Sequence, residues 1–445
     1  MEIKRVLIAN RGEIALRALR TIQEMGKEAI VVYSTADKDA LYVKYADASI
    51  CIGPPRSSDS YLNIPAIMAA AQISEADAIF PGYGFLSENQ TFVEICEKEG
   101  VKFIGPDVSA MSLMSDKSKA KSFMKRAGVP VVPGSDGAVK DADTAKKLAK
   151  EIGYPVIIKA AAGGGGRGMR VVHKEEDLEK NFWSAESEAV SAFGDGTMYM
   201  EKYIQNPRHI EVQIIGDNFG NVIHIGERDC SMQRRHQKLI EESPAVVLDE
   251  VARKKLQESA VKATKSIGYT GAGTFEFLYD STTKEFYFIE MNTRLQVEHC
   301  VSEMVSGLDI VELMIRVAQG EKLPSQDEVI LRGHSIECRI TAEDPKSFVP
   351  SPGTITKYIA PGGRSVRMDS HIFQGYTIPP FYDSMIGKLI VHASTREKAI
   401  SKMNVALHQL TIQGIKTTRN FHINMMENKD FRDNNFDTNY LSKYY

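Results

Sequence analysis

Between Gly273 and His299 the chain reads GTFEFLYDSTTKEFYFIEMNTRLQVEH, with acidic, amide and guanidinium side chains recurring at every second position. Two aromatic-rich alternating runs, Thr274 to Tyr279 and Glu285 to Met291, flank the polar turn Ser281-Thr282-Thr283-Lys284. That pattern predicts an antiparallel hairpin. If the second strand stays extended, Glu290, Asn292, Arg294, Gln296 and Glu298 project from one side, because side chains alternate faces along a strand. Glu276 stands on the first strand, flanked by Phe275 and Phe277. Two carboxylates on neighbouring strands plus an amide make an oxygen-rich cage suited to Mg²⁺. Arg294 and Glu298 are then left for chemistry beside the metal. The plain alternative is a solvated sheet face, but such a face usually mixes lysine, serine and threonine.

The rest of the chain must position this row. At 445 residues with 43% hydrophobic content it has material for two or three domains. The net charge of −3, with both signs spread along the chain, argues against an electrostatically driven nucleic-acid or membrane role. Five well-separated cysteines, Cys51, Cys96, Cys230, Cys300 and Cys338, with no CxxC pair, argue against a disulfide framework or zinc site and for a reducing, cytoplasmic setting. No apolar run is long enough to span a membrane.

Strand and helix alternate over the first hundred residues: KRVLIAN, then a helical run with Ile14, Leu16, Leu19 and Ile22, then EAIVVYS, ASICIG and DAIF. This is the βαβ rhythm of a doubly wound parallel sheet. Asn10-Arg11-Gly12 followed by Asp37 invites a dinucleotide reading, but only one fingerprint glycine is present. Farther on, the strand VIIKAA runs into Gly163–Gly166, Arg167-Gly168 and a second strand, MRVV. Gly163, Gly165 and Gly168 fit GxGxxG formally, yet a strand follows where that motif needs a helix. A glycine-rich hairpin tip remains, able to lay backbone N–H groups over phosphates and to close as a lid. Lys159 precedes it as a point charge that could reach a phosphate. The segment ERDCSMQRRHQKLIEE gathers Arg228, Arg234, Arg235, His236 and Lys238, but Glu227, Asp229, Glu241 and Glu242 offset them. That balance favours an anionic small-molecule pocket or a solvated face over a nucleic-acid patch.

IANRGEIA, PGYGFLSEN, GGGGRGMR, ERDCSMQRRHQK, GAGTFEFL, FIEMNTRLQVEH, GHSIECRI, PSPG and YDSMIGKLI follow in this order between Ile3 and Leu441. In these blocks the chain resembles the biotin carboxylases, members of the ATP-grasp superfamily, and looks like the biotin carboxylase subunit of a bacterial multisubunit carboxylase, with acetyl-CoA carboxylase the one expected. The resemblance implies an α/β fold, α+β toward its C-terminus. An N-terminal doubly wound α/β domain (1–113) is expected, then a helical connector (114–130), an ATP-grasp lid (131–203) and a C-terminal catalytic domain (204–445) with a mixed or antiparallel sheet.

It also implies the site. Lys117, Lys159, Gly164, Gly165, Gly166, Glu201, Lys202, Ile204, His209, Gln233, His236, Glu276, Leu278 and Glu290 would bind ATP. Glu276, Glu290 and Asn292 would hold Mg²⁺, with two ions expected and Mn²⁺ as a substitute. Bicarbonate would lie against Lys238, Arg294, Gln296 and Val297, with Glu298 as general base. Tyr83, His209, Gln233 and Arg339 would meet biotin, Arg339 stabilising its enolate-like ureido oxygen. Biotin would arrive on a carrier protein. The sequence contains no MKM-type biotinyl-lysine motif, so carrier and carboxyltransferase are expected on separate chains, and the enzyme as a homodimer meeting around the first helix and the PGG segment.

The sequence departs from the family pattern at Phe80, where a histidine is expected, at Ala161-Ala162 in place of Ser-Gly, at Cys300 in place of proline, and at Arg364 in place of an aromatic. The residues leave two competing readings. One is another ATP-grasp ligase joining a carboxylate to an amine, which gives QVEH and ECRI no role. The other is a non-catalytic nucleotide-binding subunit, which should have lost Glu298 or a metal carboxylate. A third question is the final acceptor, since two-chain pyruvate carboxylases or carboxylases of other acyl-CoAs carry a similar subunit.

Overall fold

The computed structural model describes residues 2–160 and 168–444. The chain groups into two compact units, one of residues 1–129, 208–277 and 290–445, the other of 130–207 with 278–289.

The first unit begins with a five-stranded parallel sheet of β1 (Arg5–Ile8), β2 (Glu28–Ser34), β3 (Ala48–Gly53), β4 (Ala78–Phe80) and β5 (Lys102–Phe103). Its order is β3-β2-β1-β4-β5, so the winding reverses between β1 and β4, where open α/β sheets place their ligand crevice. Asn10, just past β1, ties the two strand ends together by donating to the Pro81 carbonyl at 2.7 Å and the Tyr83 carbonyl at 2.8 Å. Phe80 is fully buried as the last residue of β4, so an apolar ring there fills core.

In the second unit β6 (Val156–Ala160), β7 (Met169–Val172) and β8 (Met198–Lys202) form an antiparallel sheet in the order β7-β6-β8. Val156, Ile158 and Ala160 alternate inward against Ala145, Ala149, Phe182, Ala185 and Ala189. The same alternation turns Lys159 to the other face.

An eight-stranded sheet follows, with β9 (Arg208–Gly216), β10 (Val222–Arg234), β11 (Gln237–Ser243), β12 (Gly271–Asp280), β13 (Glu285–Asn292), β14 (His334–Thr341), and the strands Val366–Ser370 and Met385–Ala393. The order β13-β12-β9-β10-β11-β14 continues into Met385–Ala393 and then Val366–Ser370. The predicted hairpin is therefore β12–β13. Its second strand stops at Asn292, and residues 293–298 run as irregular backbone into the helix His299–Ser306. The extended row from Glu290 to Glu298 thus holds only to Asn292.

The polar C-terminal stretch ENKDFRDNNFDTNY invites a loosely packed reading, and the structure corrects it. Phe431, Phe436, Tyr440 and Leu441 are buried. Arg208 lies 3.8 Å over the Phe436 ring and donates to its carbonyl. Arg396 donates to the carbonyls of Phe431 and Arg432 at 2.8 Å while gripping Glu242 with Nε and Nη2. Burial opposes charge on Glu242, but Arg396 and then His334 outweigh it and hold its carboxyl down to about 2, against an ordinary 4.5. Its stabilisation is therefore present above about 4.5 and lost as pH falls through 2; at neutral pH it is on the order of 3 kcal/mol. Urea unfolding of Glu242→Gln should show that deficit at pH 7 and a shrinking one as pH drops below 4.5. A deficit independent of pH would contradict the assignment.

Candidate active site

The site is built on the face where β9, β11, β12 and β14 meet the 293–298 segment, and its side chains, Glu211, Lys238, Glu276, Gln296, Glu298 and Arg339, all belong to the first unit. Its hub is Lys238 on β11. The Lys238 ammonium lies 2.7 Å from Glu211 Oε2, 2.9 Å from Glu276 Oε1, 2.7 Å from Glu298 Oε1 and 3.2 Å from Gln296 Oε1. Burial alone would strip its charge, but Glu211, Glu298 and Glu276 raise its pKa well above the lysine range. Glu276 responds in kind: against burial, Lys238 and then His209 hold it well below the carboxylate range. His209 Nε2 is 2.9 Å from Glu276 Oε2 but off the angle of a hydrogen bond.

Glu298 is fully buried. Besides Lys238 it receives Arg339 Nη2 at 3.0 Å, and Arg339 Nε reaches Glu241 at 2.6 Å. Lys238, Arg339 and Arg228 together overcome burial and keep the Glu298 carboxyl far down. Arg294 faces elsewhere: its Nε donates to Glu88 at 2.8 Å and its Nη2 to Asn292 at 2.9 Å. Gln296 and Asn292 both donate to Glu276 Oε1. Fully buried Lys388 donates to the Val297 carbonyl at 2.8 Å and lies 3.3 Å from Glu13, whose carboxylate also accepts from the Tyr83 hydroxyl. A cavity of about 530 Å³ opens here, lined by Asn10 and Glu13 after β1, Tyr83 after β4, and Arg294, Val297 and Arg339. It lies at the reversal point of the parallel sheet.

Glu276 and Glu290 occupy neighbouring strands, and Glu290 and Asn292 share a face of β13. Each carboxylate already holds a cation, Lys238 on Glu276 and Lys117, at 3.2 Å, on Glu290. Hard oxygen donors on adjacent strands, with carboxylate charge to balance a cation, fit Mg²⁺.

The remaining sequence-predicted residues are more dispersed. Gln233 is buried at the end of β10, whereas His236 is exposed in the two-residue turn to β11. Arg235 and His236 there take φ of 50° and 66°, a turn that favours asparagine and glycine. Backbone strain of that kind persists where surroundings or function require it. In the second unit Lys159 pairs with Glu201 at 2.6 Å, Lys202 donates to the carbonyls of Gly153 and Tyr154, Ile204 is buried and Leu278 half-buried. Gly164, Gly165, Gly166, Ala161 and Ala162 lie outside the described residues. Cys300, in the proline position, is fully buried with its sulfur 3.3 Å from Asp369.

Sequence reasoning gave no role to Glu88, Glu211, Glu241 or Lys388. A signal for Glu211 exists: His209, Glu211 and Gln213 alternate with Ile210, Val212 and Ile214, the same period-two polar row that marked the hairpin. Lys388 is likewise a single charge inside the apolar run MIGKLIV.

A buried cluster of carboxylates and cations beside a cavity at the reversal point of a parallel sheet has the make-up of an enzyme site, and three family models, one of them an ATP-binding domain, divide the chain. Residues 2–111 match "Biotin carboxylase, N-terminal domain", 116–326 match "Carbamoyl-phosphate synthase L chain, ATP binding domain", and 337–443 match "Biotin carboxylase C-terminal domain". The chain is 56% identical over its full length to a biotin carboxylase of Nostoc sp., covering 99% of that protein, and 53% identical to biotin carboxylase 1 of Bacillus subtilis, with 99% of each covered. The structure of a biotin carboxylase–β,γ-ATP complex from Campylobacter jejuni aligns over 100% of this chain and 99% of that one, at 76% identity and a TM-score of 0.91. The biotin carboxylase subunit of a pyruvate carboxylase aligns over 100% and 98%, at 50% identity and a TM-score of 0.92. The chain belongs to the biotin carboxylase family. Its ATP-grasp fold and its standing as a ligase follow from that membership. Among the described residues no helix is long and apolar enough to cross a membrane.

Proposed function

We propose that the chain carries out the first half-reaction of a multisubunit carboxylase, using ATP and bicarbonate to carboxylate biotin on a separate carrier protein. The observation that carries this reading is Glu298: a fully buried carboxylate gripped by Lys238 and Arg339, in a network bordering the cavity that Arg294, Val297 and Arg339 line.

Bicarbonate lies against Arg294, whose planar fork suits a planar oxyanion. Glu298 takes the bicarbonate proton. The freed oxygen attacks the γ-phosphorus of ATP, the bond to the bridging oxygen breaks, and ADP leaves carboxyphosphate. Mg²⁺ on Glu276, Glu290 and Asn292 would neutralise phosphate charge; Mn²⁺ suits the same oxygens. Carboxyphosphate splits into CO₂ and phosphate, and the phosphate removes the N1′ proton of biotin. N1′ then attacks CO₂ while Arg339 stabilises the ureido oxygen, a fixed positive charge placed where negative charge develops. Lys117, Lys159, Glu201, Lys202, Ile204, His209, Gln233, His236 and Leu278, with the Gly164–Gly166 loop, serve ATP; Tyr83, His209 and Gln233 flank biotin.

The bacterial relatives, of nearly the same length, are named biotin carboxylase and biotin carboxylase 1, which supports carrier and carboxyltransferase on separate chains; acetyl-CoA is the first reading of the final acceptor. Solved relatives also include the biotin carboxylase domain of a 2-oxoglutarate carboxylase and the biotin carboxylase subunit of a pyruvate carboxylase, so a keto-acid acceptor is the second reading. A solved 2-oxoglutarate carboxylase domain is described as a dimer, in line with a homodimer here through the helix Gly12–Glu24.

The test is ADP formation by the purified chain from ATP and Mg²⁺, with and without bicarbonate and free biotin. Biotin should accelerate ADP formation only when bicarbonate is present. ADP formation indifferent to both would turn the reading to an ATP-grasp ligase with an amine acceptor.

A further inference from the structure

Behind Arg339 two buried carboxyl groups face each other without a donor between them. Glu337 on β14 pairs directly across from Glu241 on β11, and directly opposed residues on antiparallel strands put their side chains on one face. Arg339, two residues on, shares that face, with Lys388 opposite it. Both glutamates are fully buried. Glu241 Oε1 accepts from Arg339 Nε, but Glu241 Oε2 and both oxygens of Glu337 make no hydrogen bond with any of the described residues. The charged and titratable groups around Glu337 are Glu241, Glu298, Arg339, Lys388 and the thiols of Cys300 and Cys338. None has a charge to spare for it. Arg339 is divided between Glu241 and Glu298, and Lys388 between Glu13 and the Val297 carbonyl.

Ionised carboxylates only accept hydrogen bonds, so two of them opposed in a dry interior repel and leave their lone pairs unmet. Two carboxyls sharing such a site resolve the conflict by holding one proton. The Arg339 bond favours charge on Glu241, which assigns the proton to Glu337. We propose that Glu337 is a neutral carboxylic acid in the working enzyme, that its O–H donates to Glu241 Oε2, and that it is a positioning residue for Arg339. The chain then runs Glu337–Glu241–Arg339–Glu298, and Arg339 answers to two carboxylates instead of three. Burial drives the Glu337 carboxyl well above its ordinary range against the pull of Lys388, and burial also raises Glu241, on which Arg339 pulls the other way.

The link to catalysis rests on the carboxylase reading, whereas the proton itself can be observed without turnover. The infrared spectrum of the wild-type enzyme at pH 8 should contain a carbonyl band of a protonated carboxylic acid, shifted in D₂O, that disappears in Glu337→Gln. That variant keeps a neutral donor toward Glu241, so its kcat/KM for biotin should stay within about twofold of wild type. Glu337→Ala leaves Glu241 unmet and should lose about tenfold or more, the scale of a lost buried partner. The proposal is overturned if the wild type has no such band, if the band survives in Glu337→Gln, or if Glu337→Gln loses about as much activity as a tenfold-impaired Glu337→Ala. Should the alanine variant fail to fold, the band and the glutamine variant still decide.

Discussion

Replacing Glu298 by Gln should remove the bicarbonate- and biotin-dependent ADP formation, by about two to four orders of magnitude, the range that a positioned general base contributes. The fold should survive the change. Lys238 keeps Glu211 and Glu276 within 2.9 Å, and Arg339 keeps Glu241 at 2.6 Å, so neither buried cation is left alone. A thermal unfolding curve close to wild type, with activity lost, would separate chemistry from folding. The proposed base has a further property. Three cations hold the Glu298 carboxyl far below its ordinary range, and a carboxylate so stabilised is a weak proton acceptor. Its basicity must rise when bound substrate anions draw Lys238 and Arg339 toward themselves. Protonation of Glu298 in the free enzyme therefore should not set the acid limb of the kcat/KM profile for bicarbonate near neutral pH. Activity within a few-fold of wild type in Glu298→Gln would remove the residue from the base role.

The hairpin was legible in the sequence because period two is a local signal: Phe275, Phe277 and Tyr279 alternate with Thr274, Glu276 and Leu278 on β12, a polar turn follows, and Glu290 and Asn292 fall at alternate positions of β13. The parallel sheet was legible for the same reason, in short apolar runs separated by a helical repeat. The premise of one extended row to Glu298 failed after Asn292, since what turns the backbone there lies far away in sequence. Glu88 accepts from the Thr293 amide and hydroxyl and from Arg294, about two hundred positions upstream. Lys388 fixes the Val297 carbonyl from the other direction. Lys238 was named by family resemblance, but its role as a hub for three carboxylates depends on the spacing of β9, β11 and β12, which no local pattern encodes. The C-terminal stretch misled because its polar residues outnumber its aromatics, while Phe431 and Phe436, stacked with ring centroids 5.5 Å apart, decide its packing.

That hub gives the other large effect. Lys238→Met should abolish activity and also destabilise the protein by about 3–5 kcal/mol near neutral pH, the scale of breaking a buried ion pair. Glu211 would still have Arg228, and Glu298 would still have Arg339. Glu276 would keep the amides of Asn292 and Gln296 and the His209 ring, but no lysine. The sign with pH follows from which groups are shifted. Lys238 is raised above 10.5, so its contribution is fully present below that value and is lost only as pH climbs through its higher folded value. Glu276 and Glu298 are depressed, so their contribution is present above about 4.5 and disappears as pH falls through their folded values. Without Lys238 those carboxyls move up and take protons more readily. The stability gap between wild type and Lys238→Met should therefore be widest at pH 7–9 and close on acidification, in urea unfolding at pH 8 and pH 5. Lys238→Arg should not rescue activity, because one ammonium with three rotatable donors reaches three carboxylates where a planar fork does not. A gap that widens toward acid would mean that Lys238 is not the countercharge of this acidic cluster.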